Sequence, residues 1–164
     1  MRVLTVCGIK GSGKTTTIEL IIRELCRRGY NVGSMKDIHF EGFALDTPGT
    51  NTDRHRKAGA QIVVARGNSE TDIMIGKKLP LQAILPFFNQ DFVVLEGVNE
   101  PGIPMILTSH DEKGLESLDN PFVFAVSGKV SGHLSEFKGH PAIDAATDID
   151  RLVSLIEEKA GIFP

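Results

Sequence analysis

The chain has 164 residues, 41% of them hydrophobic and 24% charged, and a net charge of −3. That is enough for one ordinary globular domain with its own core, and it is not the composition of a disordered chain. A general nucleic-acid binder carries a basic footprint that this charge does not supply, and no apolar stretch approaches the roughly 18 residues of a membrane span. The two cysteines, Cys7 and Cys26, have no CxxC spacing and read as two buried thiols of a reducing compartment. No leader of the charged-then-apolar kind opens the sequence, so the expectation is a cytoplasmic protein with neither a nucleic-acid nor a membrane partner.

In chain order, MRVLTVC is rich in β-branched and apolar residues and predicts a buried parallel strand. Thr15 to Arg28 then sets Ile18, Ile21, Ile22 and Leu25 at helical spacing, with Gly29 as the stop. Asn31 to Met35 predicts a second strand, which completes a βαβ unit with a right-handed crossover. HFEGFALD alternates weakly, as a short exposed hairpin would, and TPGTN is a turn by its Pro-Gly pair. A short helix over Asp53 to Gly59, the strand AQIVVA and an antiparallel partner TDIMIG follow. LPLQAILPFF predicts a helix limited by Pro86. FVVLEG, PMILTS and FVFAVSG are three further strands, and DIDRLVSLIEEKAG closes the chain as an amphipathic helix with Ile149, Leu152, Val153 and Ile156 on one face. Alternating strands and helices predict a doubly wound, mostly parallel α/β sheet of the phosphate-loop NTPase type in a single domain, with a small antiparallel hairpin extension near residues 37–76.

The junction of the first strand and helix carries the chemistry. Gly8-Ile9-Lys10-Gly11-Ser12-Gly13-Lys14-Thr15 matches GxxxxGK[ST], and it lies between a strand and a helix as that pattern requires. Glycines let successive amides turn inward around phosphate oxygens, and the helix adds its unpaired N-terminal amides and the positive end of its dipole. Lys14 is expected to reach the β- and γ-phosphates, and the Thr15 hydroxyl to ligate Mg²⁺. Lys10 reads first as a solvated side chain of the loop, although a lysine there can also reach a second nucleotide across a dimer interface. A carboxylate at the C-terminal end of a neighbouring strand is needed for the metal's shell. Glu96 supplies one, whereas Asp91 opens the same strand and falls at the wrong edge of a parallel sheet.

Three uses of a bound nucleotide are open. A small-molecule kinase needs a lid carrying several arginines, and the only compact basic group is Arg54-His55-Arg56-Lys57. A regulatory GTPase reads its base with NKxD after a strand, a sequence this chain lacks; Ser127-Gly128-Lys129 stands there instead. An accessory NTP-binding protein of a cofactor pathway is the third. For that third use, GIKGSGKTTTIELIIRELCRRGYNVGSMK, DTPGTNTDRHRKAGA and the VLEG strand end together resemble the molybdopterin-guanine dinucleotide biosynthesis adapter proteins, the MobB family. The likeness lies in the phosphate loop, a D-x-P-G phrase with R-x-A-G-A downstream, and the E-G strand end. It runs from residue 3 to about 98, followed by a similar order of strands and a final helix.

The resemblance implies a homodimer that binds GTP with Mg²⁺, hydrolyses it weakly at most, and assists a guanylyltransferase in attaching GMP to molybdopterin. It implies nucleotide contacts from Gly8, Lys10, Gly11, Ser12, Gly13, Lys14, Thr15 and Thr16. Asp46 of the D-x-P-G phrase would lie near the metal or γ-phosphate, with Glu96 as the second acidic group. Lys14, Asp46 and Glu96 are thus the catalytic candidates, and Thr15, Asp46 and Glu96 the metal candidates. The chain departs from the family pattern at Thr47, where a lysine is usual, at Asn51, where an acidic residue is usual, and at Lys36–Phe40, which holds one histidine rather than several.

The five histidines are scattered, with no HxH or HxxxH pair, which gives a metallochaperone-type NTPase little to stand on. Arg54 and Arg56 point in different directions on a short helix, and one of them could meet an anionic pterin while the default for both is solvent. The strand edges expected at 37–45 and 71–76 are the kind that proteins cover, and a second copy would cover them with two-fold symmetry.

Overall fold

A computed structural model of the chain describes residues 1–163. Its elements run β1 (Arg2–Gly8), α1 (Lys14–Arg27), β2 (Val32–Lys36), α2 (Asn51–Lys57), β3 (Ile62–Arg66), β4 (Thr71–Ile75) and α3 (Leu81–Ile84), which passes into a 3₁₀ turn at Leu85–Phe87. There follow β5 (Phe92–Glu96), β6 (Met105–Thr108), α4 (Glu112–Glu116), β7 (Val123–Ser127) and a 3₁₀ turn at Lys129–Gly132. The chain ends with β8 (Glu136–Phe137), β9 (His140–Pro141), α5 (Ile149–Lys159) and β10 (Gly161–Ile162). These elements form two compact units: Met1–Ile38 with the chain from Phe88 onward, and His39–Phe87.

In the first unit the strand order is β2-β5-β1-β6-β7, and every neighbouring pair is parallel. The doubly wound α/β sheet expected from the sequence is therefore what this unit forms. β10 lies antiparallel beside Arg2 and Val3, below the point where β6 begins to pair with β1 at Thr5. β1, β5, β6 and β7 are buried on both sides, which is why they read as apolar runs rather than alternating ones, while β2 at the edge is partly exposed. Leu4, Val6, Val94 and Ile106 point into one core with Ile18, Ile21 and Leu25 of α1 and Leu152, Val153 and Ile156 of α5. Cys7, Met105, Leu107 and Val126 point into the other, with Leu115 and Phe137. β1–α1–β2 has the expected parallel strands, but they are not neighbours, because β5 fills the gap between them. The register places the carboxyl ends Gly8, Lys36, Glu96, Thr108 and Ser127 along one edge of the sheet. Asp91 belongs to the opposite edge, where its carboxylate accepts the Asn31 amide at 2.8 Å.

A charged lock joins α1 to α5 at the end of α1 far from that edge. Glu24, nearly buried, accepts Arg27 Nε and Nη2 at 2.6 and 2.7 Å and Arg28 Nε at 2.8 Å. Arg28 continues to Glu157 at 2.6 Å and to the Asp150 carbonyl at 2.7 Å. Gly29, at φ 92°, then lets the chain turn back so that the Tyr30 amide reaches the Leu25 carbonyl.

The second unit holds α2 and a two-stranded antiparallel ribbon, β3 against β4, which is the small antiparallel extension the sequence predicts. HFEGFALD, expected as a hairpin, contains no strand. Its weak alternation has no partner strand, and Phe40 and Phe43 pack edge to face against each other at 6.2 Å instead. In the ribbon, Val63 is buried while Ile62, Val64 and Ile73 on the opposite face are more than half exposed. The helix over LPLQAILPFF gives way at Leu85 to a 3₁₀ turn containing Pro86. Cys26 corrects a further expectation, for it is exposed, and only Cys7 is buried.

The arginines beside Glu24 hold its carboxyl down from an ordinary 4.5 to about 2. The folded state thus takes up this proton later than the unfolded chain does. The stability it contributes is in place above about pH 4.5 and drains away as pH falls toward 2. Thermal melts from pH 5 to pH 2 are expected to fall more steeply for the native chain than for Glu24→Gln. Parallel acid limbs would show that the lock contributes no pH-dependent stability.

Candidate functional site

β1 ends at Gly8, and the chain turns through Ile9–Gly13 before α1 begins at Lys14. Close backbone packing shapes this loop. A Cβ at Gly8 would run into the carbonyl and hydroxyl oxygens of Thr108, so β6 can lie against the loop only if residue 8 is glycine. Gly11 and Gly13 have φ 74° and 100°, the left-handed region that favours glycine. A Cβ at Gly13 would come within 3.3 Å of the Gly128 Cα, and one at Gly128 would strike the Ser12 carbonyl. Ser12 is fully buried; its hydroxyl meets that of Thr108 at 2.7 Å, and its carbonyl accepts the Lys129 amide at 3.0 Å. The Ser12 side chain therefore braces the loop, and an anion there could meet only the backbone of this residue.

No side chain caps α1, and no acidic residue lies in its first turn. The amides of Lys14, Thr15 and Thr16 have no partner within the helix by its geometry, so an anion arriving at the loop finds open donors. The Lys14 ammonium curls over the loop and donates to the carbonyls of Gly8 and Ile9 at 2.8 and 3.0 Å. Lys10 is exposed, and its carbonyl accepts from His110 Nε2 at 3.1 Å. Beside α1, Glu96 ends β5 with its Oε1 accepting the Thr15 hydroxyl at 3.4 Å and the Lys36 ammonium at 3.1 Å. A hydroxyl and a carboxylate side by side, next to open amides and an ammonium group, are oxygen donors of the kind that could hold a hard cation. Behind the loop, burial pushes the Cys7 thiol up, which leaves it inert.

Asp46 belongs to the second unit. Its Oδ1 accepts the hydroxyls of Thr50 and Thr52 at 2.8 and 3.0 Å, and its Oδ2 is buried without a hydrogen-bond partner among the described residues. The residue that fixes the D-x-P-G turn is Asp53, which sequence reading passed over. It is buried, accepts the Gly49 amide at 2.8 Å, and pairs with Arg56 at 3.0 Å and Lys57 at 2.7 Å. Those donors hold its carboxyl well below the usual range. Thr50 caps α2 by accepting the Asp53 amide, so the signal was the T-x-x-D spacing of a capping box. Arg56 is thus engaged with Asp53, while Arg54 is exposed. Two further residues of the loop's frame, Thr108 and Gly128, lie at the ends of distant strands, where only the sheet order could identify them.

The family described as MobB, Molybdopterin guanine dinucleotide synthesis protein B, matches residues 3–128. The chain belongs to this family. It is 26% identical over 148 residues to a Bacillus subtilis (strain 168) protein named as a probable molybdopterin-guanine dinucleotide biosynthesis adapter protein, covering 87% of this chain and 85% of the relative. A Haemophilus influenzae molybdopterin-guanine dinucleotide biosynthesis adapter protein is 32% identical over 131 residues, 76% of this chain and 72% of its own length. The fold superposes on the crystal structure of Bacillus subtilis MobB with a TM-score of 0.81 at 24% identity, covering 98% of this chain and 99% of that one.

In this MobB-family chain the loop depends on Gly128 as much as on its own glycines. Gly128→Ala places a Cβ against the Ser12 carbonyl at φ 76°. It is expected to lower the unfolding free energy by about 1–3 kcal/mol in denaturant titrations. Gly132→Ala, whose Cβ meets nothing within 4 Å, serves as the control and is expected to stay within about 0.5 kcal/mol of the native chain. Equal losses in the two variants would mean that the loop is not held by this contact.

Proposed function

We propose that this chain binds GTP with Mg²⁺ at the loop from Gly8 to Thr16. In this reading it acts in the cytoplasm as an adapter in molybdenum-cofactor biosynthesis, assisting a guanylyltransferase that attaches GMP to molybdopterin. Membership of the MobB family and the names of its relatives support the pathway. The observation that carries nucleotide binding is the uncapped start of α1 facing the Lys14 ammonium across a glycine-shaped loop. Gly8, Gly11, Gly13, Lys14, Thr15 and Thr16 would hold the phosphates through amides and one positive charge, and Thr15 and Glu96 would hold the metal. Mg²⁺ there would supply charge neutralisation on the phosphate oxygens. The chain's own contribution is the charge stabilisation given by Lys14 and the amides, which fits an adapter with feeble turnover. Asp46 enters on its chemistry: a buried carboxylate oxygen without a donor is a place for a donor or a cation.

Calorimetric titration tests this reading. GTP with Mg²⁺ is expected to bind more tightly than ATP, and Lys14→Ala to weaken it roughly 10- to 100-fold, the worth of a charge-assisted contact. Glu96→Gln is expected to lower the dependence on Mg²⁺ while leaving metal-free binding in place. An unchanged affinity in Lys14→Ala would overturn the reading, as would a preference for ATP with turnover of a small acceptor.

We also infer a homodimer through the β3–β4 ribbon. Val64 faces Ile73 directly across the ribbon, with Ile62 on the same face, and all three are more than half exposed. An apolar face on a two-stranded ribbon that is open at both edges is an interaction surface, and a second copy would cover it symmetrically. Light scattering at micromolar concentration is expected to give the mass of two chains, and Val64→Glu the mass of one. A single-chain mass for the native protein would rule this out.

A further inference from the structure

The phosphate loop explains how a triphosphate could be held and not how one base could be told from another. Phosphate contacts made by amides and a lysine are the same for every nucleotide. The chain has no NKxD sequence to do the reading.

Beside the loop lies a cavity of about 320 Å³, within the range of small-molecule sites. It begins where the phosphate loop ends: Gly13 and Thr16 form its near rim, and Leu20, one turn further along α1, lines it beyond. The opposite walls are Gly128–Lys129, which follow β7, and Asp144–Ala146 in the loop before α5. A molecule with its phosphates on the loop amides would thus have its other end beside this cavity. Glycines and alanines on the walls leave a slot free of bulky side chains, Leu20 offers an apolar surface to a flat ring, and the exposed Lys129 can lay its stem over such a ring.

Asp144 gives the cavity its chemistry. Its Oδ1 accepts the Ala146 amide at 2.9 Å, and its carbonyl accepts the amides of Thr147 and Asp148 at 3.1 and 2.8 Å. The carboxylate is therefore held in place by its own turn, and its Oδ2 has no hydrogen-bond partner among the described residues. An ionised carboxylate only accepts. Guanine offers it two adjacent donors, N1–H and the 2-amino group, where adenine offers an unprotonated N1 that would face it as a second acceptor. Lys129 and Asp144 both lie beyond the residues that the family model matches.

We propose that this cavity is the base site of the bound nucleotide and that Asp144 selects guanine, with Leu20 and Lys129 enclosing the ring. The proposal rests on the triphosphate reading of the loop. Its test separates the two by titrating the full chain and the variants Asp144→Asn and Lys129→Ala with GTP, ATP, XTP and inorganic tripolyphosphate. Asparagine presents a donor and an acceptor, the complement of xanthine's C2 carbonyl and N1–H. Asp144→Asn is therefore expected to lose GTP affinity about tenfold or more and to gain affinity for XTP. Lys129→Ala is expected to weaken GTP, and neither variant should change tripolyphosphate binding. If the native chain binds GTP and ATP equally, or if Asp144→Asn lowers GTP without gaining XTP, the base site is refuted while the cradle stands. If not even tripolyphosphate binds, the cradle fails and this inference fails with it.

Discussion

The close approach of three strand ends is the constraint on which the rest of the site depends. The carboxyl ends of β1, β6 and β7 meet with almost no side chain between them, because Gly8 lies on Thr108 and Gly13 lies on Gly128. The buried hydroxyl pair of Ser12 and Thr108 and the Lys129 amide on the Ser12 carbonyl then fasten the loop to two neighbouring strand ends. A loop tied in this way would lose little entropy if an anion bound, since its donors are already arranged. Parallel strands carry their helices and loops to one edge, so the same architecture that buries both faces of the sheet collects Lys14, Thr15, Lys36 and Glu96 at one place.

Much of this was legible in the sequence because it is written in local signals. The buried parallel strands are apolar runs, α1 and α5 have clean helical spacing, and the GxxxxGKT phrase sits at a strand–helix junction where its chemistry has meaning. Glu96 could be preferred to Asp91 from strand polarity alone, and the two residues do lie at opposite edges of the sheet. What escaped was either non-local or too short to repeat. The positioning roles of Thr108 and Gly128 exist only because β6 and β7 are the strands on that side of β1. β8 and β9 have two residues each and β10 two, too few for any period to show. α4 buries a single apolar residue, Leu115, and is capped by the Asp111 carboxylate accepting the Gly114 amide, so it too shows no repeat. HFEGFALD misled for the converse reason: an alternating pattern is evidence for a strand only when something is available to pair with it.

The D-x-P-G phrase teaches a related point about capping. Asp46, the residue that a functional reading singles out, spends one oxygen on the hydroxyls of Thr50 and Thr52. Asp53 closes the turn from the other side through the Gly49 amide. The turn thus has its own structural logic, independent of any ligand, and the phrase would hold its shape without a nucleotide. Only the buried Asp46 Oδ2 is left without a hydrogen-bond partner among the described residues once that logic is satisfied.

Helix α1 divides its two ends between structure and chemistry, and the charges follow that division. At its C-terminal end Arg27 and Arg28 are neutralised by Glu24, Asp150 and Glu157, so those cations contribute little field beyond the lock. At its N-terminal end no acidic residue offsets the helix dipole, and Lys14 lies across the loop. Exposed Lys10 lies on the loop at the same end. A chain with a net charge of −3 thus still sets Lys10 and Lys14 at a helix end whose first turn holds no acidic residue, which favours an anion at that point. Glu96 lies beside that end, and the Lys36 ammonium at 3.1 Å offsets its charge. The Thr15 hydroxyl and this paired carboxylate are the oxygen pair that a hard cation would find there if one accompanied the phosphates.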